Sequence, residues 1–213
     1  DGEKPTLGLL LAGDASPREW QRGKAVPFGP FEAKAEVIAL LEAAGVPVAN
    51  LMVFPDAGPT WHPGRSATLR LGPKTVLASF GELHPSLARE FDVPAATQAA
   101  ELYLDAIPAP RGTNRTRPAY TPPALQPVTR DFAFLVPEDV TADALVRAVR
   151  GAEKTLVTNV RVFDRYQPAE GELSLAVEVV LQPTEKTLTE EEIGAVGARI
   201  VSAAGKVGAR LRG

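Results

Sequence analysis

Leu173-Ser174-Leu175-Ala176-Val177-Glu178-Val179-Val180-Leu181 is the strictest alternation in the chain. Every odd position is aliphatic, so a strand here presents Leu173, Leu175, Val177, Val179 and Leu181 on one face. Upstream, Val160, Val162 and Asp164 alternate with Phe163 as another strand, joined to the first by a hairpin through Pro168 to Gly171. On strict alternation Asp164 and Tyr166 share the face of Val160 and Val162, an apolar face that turns polar and aromatic at its end.

Further out, the period switches between 2 and 3.6. Phe132, Phe134 and Val136 read as a strand closed by Pro137, and Ala142, Leu145, Val146 and Val149 as one face of a helix that Thr141 caps. Thr189-Glu190-Glu191-Glu192 is a capping box with three acids at the positive end of the helix dipole. Ile193, Val196, Ile200 and Ala204 follow as that helix's buried stripe, and Val207, Ala209 and Leu211 as a last strand. The order β-α-β-β-α-β is the ferredoxin-like arrangement, in which two helices cover one face of a four-stranded antiparallel sheet. The bare face is a surface on which RNA bases commonly stack, although the architecture also carries unrelated functions.

The N-terminal half reads as α+β. Val37, Leu40, Leu41 and Ala44 have the spacing of a core-facing helix stopped by Gly45 and Pro47. Strands are predicted at Val48 to Phe54, Ala67 to Leu71, Val76 to Phe80 and Leu102 to Leu104, antiparallel where the turn Gly72-Pro73 joins two of them, with a short helix from Pro85 to Phe91. Leu7 to Leu11 reads as a core strand cut into, and with no initiator Met this suggests a piece of a longer protein. Prolines at 108, 110, 118, 122 and 123 make residues 107–123 a linker between a domain at 1–106 and another at 124–213.

The length of 213 residues allows one large or two modest domains, and 45% hydrophobic with 23% charged residues is ordinary for a soluble protein. With no cysteine, disulfides, thiolate nucleophiles and thiolate metal sites are excluded. The apolar runs fall short of the ~20 residues of a membrane span, and a cytoplasmic location is expected. The net charge of −3 offers no global attraction to phosphate, and residues 124–213 carry 11 Lys and Arg against 13 Asp and Glu. Any RNA contact is therefore local. The basic, acid-free stretch is Ala106 to Pro123, with Arg111, Arg115 and Arg117.

Among residues able to carry chemistry, His62 and His84 each precede a proline, a pattern that usually opens a turn or helix. A metal site made from them with Glu82 or Asp56 matches no ligand spacing, and neither a nucleophile elbow nor a phosphate-cradling glycine loop is present. Phe163-Asp164-Arg165-Tyr166 is the more specific cluster. A tyrosine ring stacks on a base for roughly 1–3 kcal/mol, and a carboxylate two residues away accepts from the N1–H and N2–H of guanine. The bland alternative is a packing tyrosine with a wet hydroxyl and a turn-capping aspartate.

Six motifs then agree in order and spacing: Trp61-His62-Pro63-Gly64-Arg65-Ser66-Ala67, Gly81-Glu82-Leu83-His84-Pro85, Arg130-Asp131-Phe132-Ala133, Phe163-Asp164-Arg165-Tyr166, Ser174-Leu175-Ala176 and Thr187-Leu188-Thr189-Glu190-Glu191-Glu192. Together they closely resemble the C-terminal end of the bacterial phenylalanyl-tRNA synthetase beta subunit, over about Trp20 to Leu211. The resemblance implies that residues 1–106 are the distal part of a class II synthetase-like, catalytic-like antiparallel sheet domain without catalytic residues, and that 124–213 are a ferredoxin-fold anticodon-binding domain. It implies that Tyr166 stacks on the first anticodon guanine of phenylalanine tRNA while Asp164, Ser174 and Ala133 line the pocket. It further implies an alpha-subunit partner in an α2β2 enzyme that charges tRNA using ATP and Mg²⁺, with no cofactor, catalytic residue or metal in this piece and no membrane or DNA partner. Two departures stand out. Glu172-Leu173 precede Ser174 where many relatives have a lysine and a longer 167–172 hairpin, and Arg165 occupies an often apolar position, its side chain expected on the face opposite Tyr166. The competing readings are a ferredoxin-like protein-interaction module that never meets RNA and, more weakly, a hydrolase using His62 and His84 on a metal.

Overall fold

A computed structural model describes residues 3–109, 120–169 and 172–212. The chain forms two compact units, Asp1–Thr116 and Arg117–Gly213. Most of the linker expected at 107–123, with Arg111, Arg115 and Arg117, lies outside the described residues, as do positions 170 and 171 of the hairpin.

The first unit contains β1 (Thr6–Leu11), β2 (Asp14–Ser16), β3 (Val26–Pro27), α1 (Pro30–Ala43), β4 (Leu51–Phe54), β5 (Trp61–Leu71), β6 (Thr75–Leu83), α2 (Pro85–Glu90) and β7 (Gln98–Tyr103). Five strands form an antiparallel sheet in the order β1-β7-β6-β5-β4, and β2 pairs with β3 separately. Helix α1 buries Ala33, Val37 and Leu41 against a core that includes Leu69, Leu77, Ala78, Phe80, Ala100 and Leu102. Its buried stripe starts a turn earlier than the spacing predicts, because Pro30 is already helical and Ala44 is the exposed C-cap.

Several expected boundaries move. Val48–Asn50 is a 3₁₀ turn, with the Asn50 N–H donating to the Pro47 carbonyl at 3.0 Å, so the strand expected from Val48 begins only at Leu51. The strand expected at Leu102 to Leu104 runs from Gln98 to Tyr103, and Leu104 has entered another 3₁₀ turn. Leu7 to Leu11 is an edge strand whose Leu9 and Leu11 pack against the core. It pairs only with β7 among the described residues, and Leu7 and Leu10 are 42% and 57% exposed.

The motifs of this unit are built into its backbone. Gly81 has φ of +133°, and a Cβ there would lie 2.4 Å from the Arg65 carbonyl oxygen and 2.5 Å from the Ser66 Cα. Only glycine fits this crossing, where the β5–β6 register is irregular between Trp61 and Ser66. Glu82, 6% exposed, receives the Arg65 guanidinium at 2.8 and 3.0 Å.

The second unit contains β8 (Val128–Val136), α3 (Ala142–Ala152), β9 (Val157–Tyr166), β10 (Leu173–Leu181), α4 (Glu190–Gly205) and β11 (Arg210–Leu211). Its sheet is antiparallel in the order β11-β8-β10-β9. Leu145 and Val149 of α3 and Val196, Ile200 and Ala204 of α4 pack on one face of it against Phe134, Leu175, Val177, Val179 and Leu181. This is the predicted β-α-β-β-α-β order and the predicted stripe. The last strand is shorter than expected, since Val207 lies in the turn closing α4, where Gly208 has φ of +85°.

The Thr189 hydroxyl accepts from the Glu192 N–H at 3.2 Å, while the Thr189 N–H donates to the Glu192 carboxylate at 2.9 Å. Lys186 adds an ion pair at 2.7 Å, and these donors, Lys186 foremost, hold the Glu192 carboxyl down at about 2 from its ordinary 4.5. A carboxyl so depressed stabilises the fold fully above its unfolded pKa, and the contribution fades as pH falls toward the folded value. The Glu192→Gln variant is therefore expected to be less stable than the parent at neutral pH and to converge on it between about pH 4.5 and 2, as chemical unfolding of the two across that range would show. Gly81→Ala is expected to destabilise the first unit by at least roughly 1–3 kcal/mol through overpacking and strain, measured by the same unfolding at pH 7; an unchanged midpoint would contradict the backbone crossing.

Candidate nucleic-acid interface

Residues directly opposite each other on paired strands point to the same face, so register alone sorts the second sheet into two sides. The aliphatic row of β10 faces the helices. Ser174, Ala176, Glu178 and Val180 therefore face away from them.

On β9 the partners break step. Val177 lies opposite Val162, but Ala176 lies opposite Asp164, so Phe163 has no partner on β10. This one-residue bulge inverts everything after it. Val160 and Val162 face the helices, whereas Asp164 and Tyr166 face the open side, opposite Ala176 and Ser174. The expectation that all four share a face is thus corrected. A second irregularity at Thr158, between Val157 opposite Leu181 and Asn159 opposite Val180, brings Val157 onto the buried side. Arg165 falls opposite Leu175, on the side away from Tyr166, as expected.

Two rows cross the open face. One consists of Ala133, Ala176 and Asp164, and Arg212 extends it, its N–H donating to the Ala133 carbonyl at 2.7 Å. The other consists of Arg210, Leu135, Ser174 and Tyr166. All four predicted site residues, Ala133, Asp164, Tyr166 and Ser174, are brought together. Two alanines and a serine form a low floor, with Ser174 only 3% exposed, and Tyr166, 55% exposed, stands at its edge. Tyr166 is not among the side chains that form or pack against the core of this unit. Asp164 is exposed, and one carboxylate oxygen accepts from the Arg165 N–H at 2.9 Å.

Arg212 was not singled out by sequence reasoning. Its guanidinium lies 5.8 Å from the centroid of the Tyr166 ring, within cation–π range, and donates to the Ser174 Oγ at 3.3 Å. It sits just beyond a two-residue strand, and only the pairing of that strand with β8 brings it across the sheet. Below the floor, the next row is charged. Arg161 pairs twice with Glu178, at 2.7 and 3.2 Å, which holds the Glu178 carboxyl below its usual range and the guanidinium above its own.

The histidines have local duties. The His84 Nδ1 accepts from the Ser86 N–H at 3.3 Å and lies 2.6 Å from its hydroxyl, capping α2. The His62 Nδ1 accepts from the Gly64 N–H at 3.1 Å. Glu82 is engaged by Arg65, and Asp56 by Thr68 and Arg70. Among the described residues no group of acids and histidines is placed to hold a metal ion.

Comparison with known proteins agrees with this division. A profile described as a ferredoxin-fold anticodon binding domain matches residues 123–212. Another, the phenylalanyl tRNA synthetase beta chain CLM domain, matches residues 2–104. The phenylalanine–tRNA ligase beta subunit of Novosphingobium aromaticivorans is 55% identical over 99% of this chain and 27% of its own length. Its namesakes in Zymomonas mobilis, 46% identical over 100% of this chain and 27% of their own, and Rhodospirillum rubrum, 49% over 95% and 26%, are similar along the same span. The chain thus spans about a quarter of the length of these relatives. With a matching profile on each unit and relatives aligned from end to end, the chain belongs to the phenylalanine–tRNA ligase beta-subunit family.

Proposed function

We propose that the open face of the second unit binds the anticodon of phenylalanine tRNA and reads its first-position guanine, as part of a beta subunit of phenylalanine–tRNA ligase. The observation that carries this reading is the bulge at Phe163, which puts an aromatic ring and a carboxylate side by side over a floor of small residues on the helix-free face. In it, Tyr166 stacks on the base. Asp164 accepts from the N1–H and N2–H that guanine presents together, and Ser174 and Ala133 set the depth of the slot. An exposed aromatic beside small side chains is how single-stranded bases are held without a deep pocket.

The first unit serves, in this proposal, as the distal part of a class II-like core that no longer catalyses and scaffolds the alpha subunit of an α2β2 enzyme in the cytoplasm. Activation of phenylalanine with ATP and Mg²⁺ then belongs to the alpha subunit. This fits the local duties of His62, His84, Glu82 and Asp56, each of which is engaged by a neighbouring group. Against the rival reading, a protein-docking sheet, stands the pairing of a carboxylate with an exposed aromatic ring on the same face, which suits a planar, hydrogen-bonding ligand.

Removing the ring with Tyr166→Ala is expected to weaken binding of a phenylalanine tRNA anticodon stem-loop by roughly 1–3 kcal/mol. Asp164→Asn should abolish the preference for guanine over adenine at the wobble position. Titration of each variant with both stem-loops measures this. Equal affinity of the parent chain for the two, or an unchanged affinity of Tyr166→Ala, would favour the protein-docking reading.

A further inference from the structure

Arg212 and Asp164 end the same cross-strand row, with only Ala133 and Ala176 between them. A cation and an anion thus stand at opposite ends of one row, two alanines apart along it, with Tyr166 in the neighbouring row. Among the described residues the arginine makes no ion pair; its head rests on the tyrosine ring and one serine hydroxyl.

On the ring face that the guanidinium covers, that resting position is incompatible with a stacked base. Carbon atoms in contact sit about 3.5–4.0 Å apart, so a base between ring and guanidinium needs roughly 7 Å, whereas the guanidinium lies at 5.8 Å. The head must leave the ring when a base arrives. Its root cannot follow, because the Arg212 N–H is fixed to the Ala133 carbonyl at 2.7 Å. The head is therefore held within one side-chain length of the row that Asp164 ends.

Resting on the anticodon reading proposed above, we infer that Arg212 is a specificity-determining residue of the slot: its guanidinium covers the Tyr166 ring while the slot is empty and moves to the acceptor edge of the incoming guanine. Guanine presents donors at N1 and N2 and acceptors at O6 and N7, and an arginine fork matches O6 and N7 with two parallel hydrogen bonds. A carboxylate on one wall and a guanidinium on the other read these two edges with opposite polarity. Adenine would turn its N6 amino group toward the cation, and a uridine has no N7. The row selects against both without a deep pocket.

Binding of anticodon stem-loops carrying guanine or 7-deazaguanine at the wobble position, measured with the intact chain and its Arg212→Ala and Arg212→Lys variants over a range of salt, tests this. The parent is expected to bind the guanine loop about ten-fold more tightly than the 7-deaza loop. Arg212→Ala should lose that difference, and Arg212→Lys should recover little of it, since an ammonium cannot form the fork. Matching thermal unfolding of the variants shows that the fold is intact. The inference is overturned if Arg212→Ala weakens both loops equally with a shallower salt dependence, which marks a phosphate contact, or if it binds as tightly as the parent or more so, which marks a bystander or a plug. A parent that ignores the identity of the wobble base sinks the anticodon reading itself. A parent that prefers guanine alongside an Arg212→Ala variant with an undiminished N7 preference sinks only the role of the arginine.

Discussion

The unpaired residue at Phe163 governs what the second unit can present to a ligand. Strand β9 must bury Val160 and Val162 under the helices and also expose Asp164 and Tyr166 on the other side, four positions that a regular strand would put on one face. Leaving two valines in water costs roughly 1.5–3 kcal/mol each, and a regular strand that buried them would turn Asp164 and Tyr166 to the same side, away from Ala176 and Ser174. Skipping one residue of the ladder forfeits about one hydrogen bond, roughly 0.5–1.5 kcal/mol net. The bulge is the least costly way to satisfy both faces.

The same constraint concentrates charge. The chain is acidic overall, and so is residue span 124–213, yet the open face gathers Arg210 and Arg212 on one flank of the slot. Beneath it Arg161 pairs with Glu178 in a row that Asp131 extends, which sets a polar and net acidic boundary. With a screening length of ~8 Å at physiological salt, it is this local arrangement, and not the net charge, that a base in the slot would meet.

Much of this was legible in the sequence. The alternation from Leu173 to Leu181, the stripe Ile193-Val196-Ile200-Ala204 and the Thr189–Glu192 capping box each report a single local rule, and each appears in the fold where that rule puts it. The four candidate residues were reached through motif resemblance, while Asp164 and Tyr166 were put on the face of Val160 and Val162, because strict alternation has no way to register a skipped residue. Two irregularities in ten residues, at Thr158 and Phe163, scramble the period of β9, so that its buried valines fall at 157 and 160. Arg212 escaped for another reason: it belongs to the site only through the pairing of two-residue β11 with β8, a long-range contact that leaves no periodic trace.

The motifs of the two units differ in kind. In the first unit the histidine- and glycine-bearing sequences are consumed by the fold itself: Gly81 lets two strands cross, Glu82 anchors Arg65, and His84 caps the helix that follows it. A resemblance resting on such residues reports architecture. In the second unit, Asp164 and Tyr166 follow a bulge and point away from the core, and no packing requirement of the described unit calls for either of them. A strand end that needed only to remain soluble could carry any polar pair without disturbing its ladder. A planar, hydrogen-bonding ligand, as proposed above, would account for a bulge that holds a ring and a carboxylate beside three small side chains, which is why the functional reading rests on the second unit and not on the first.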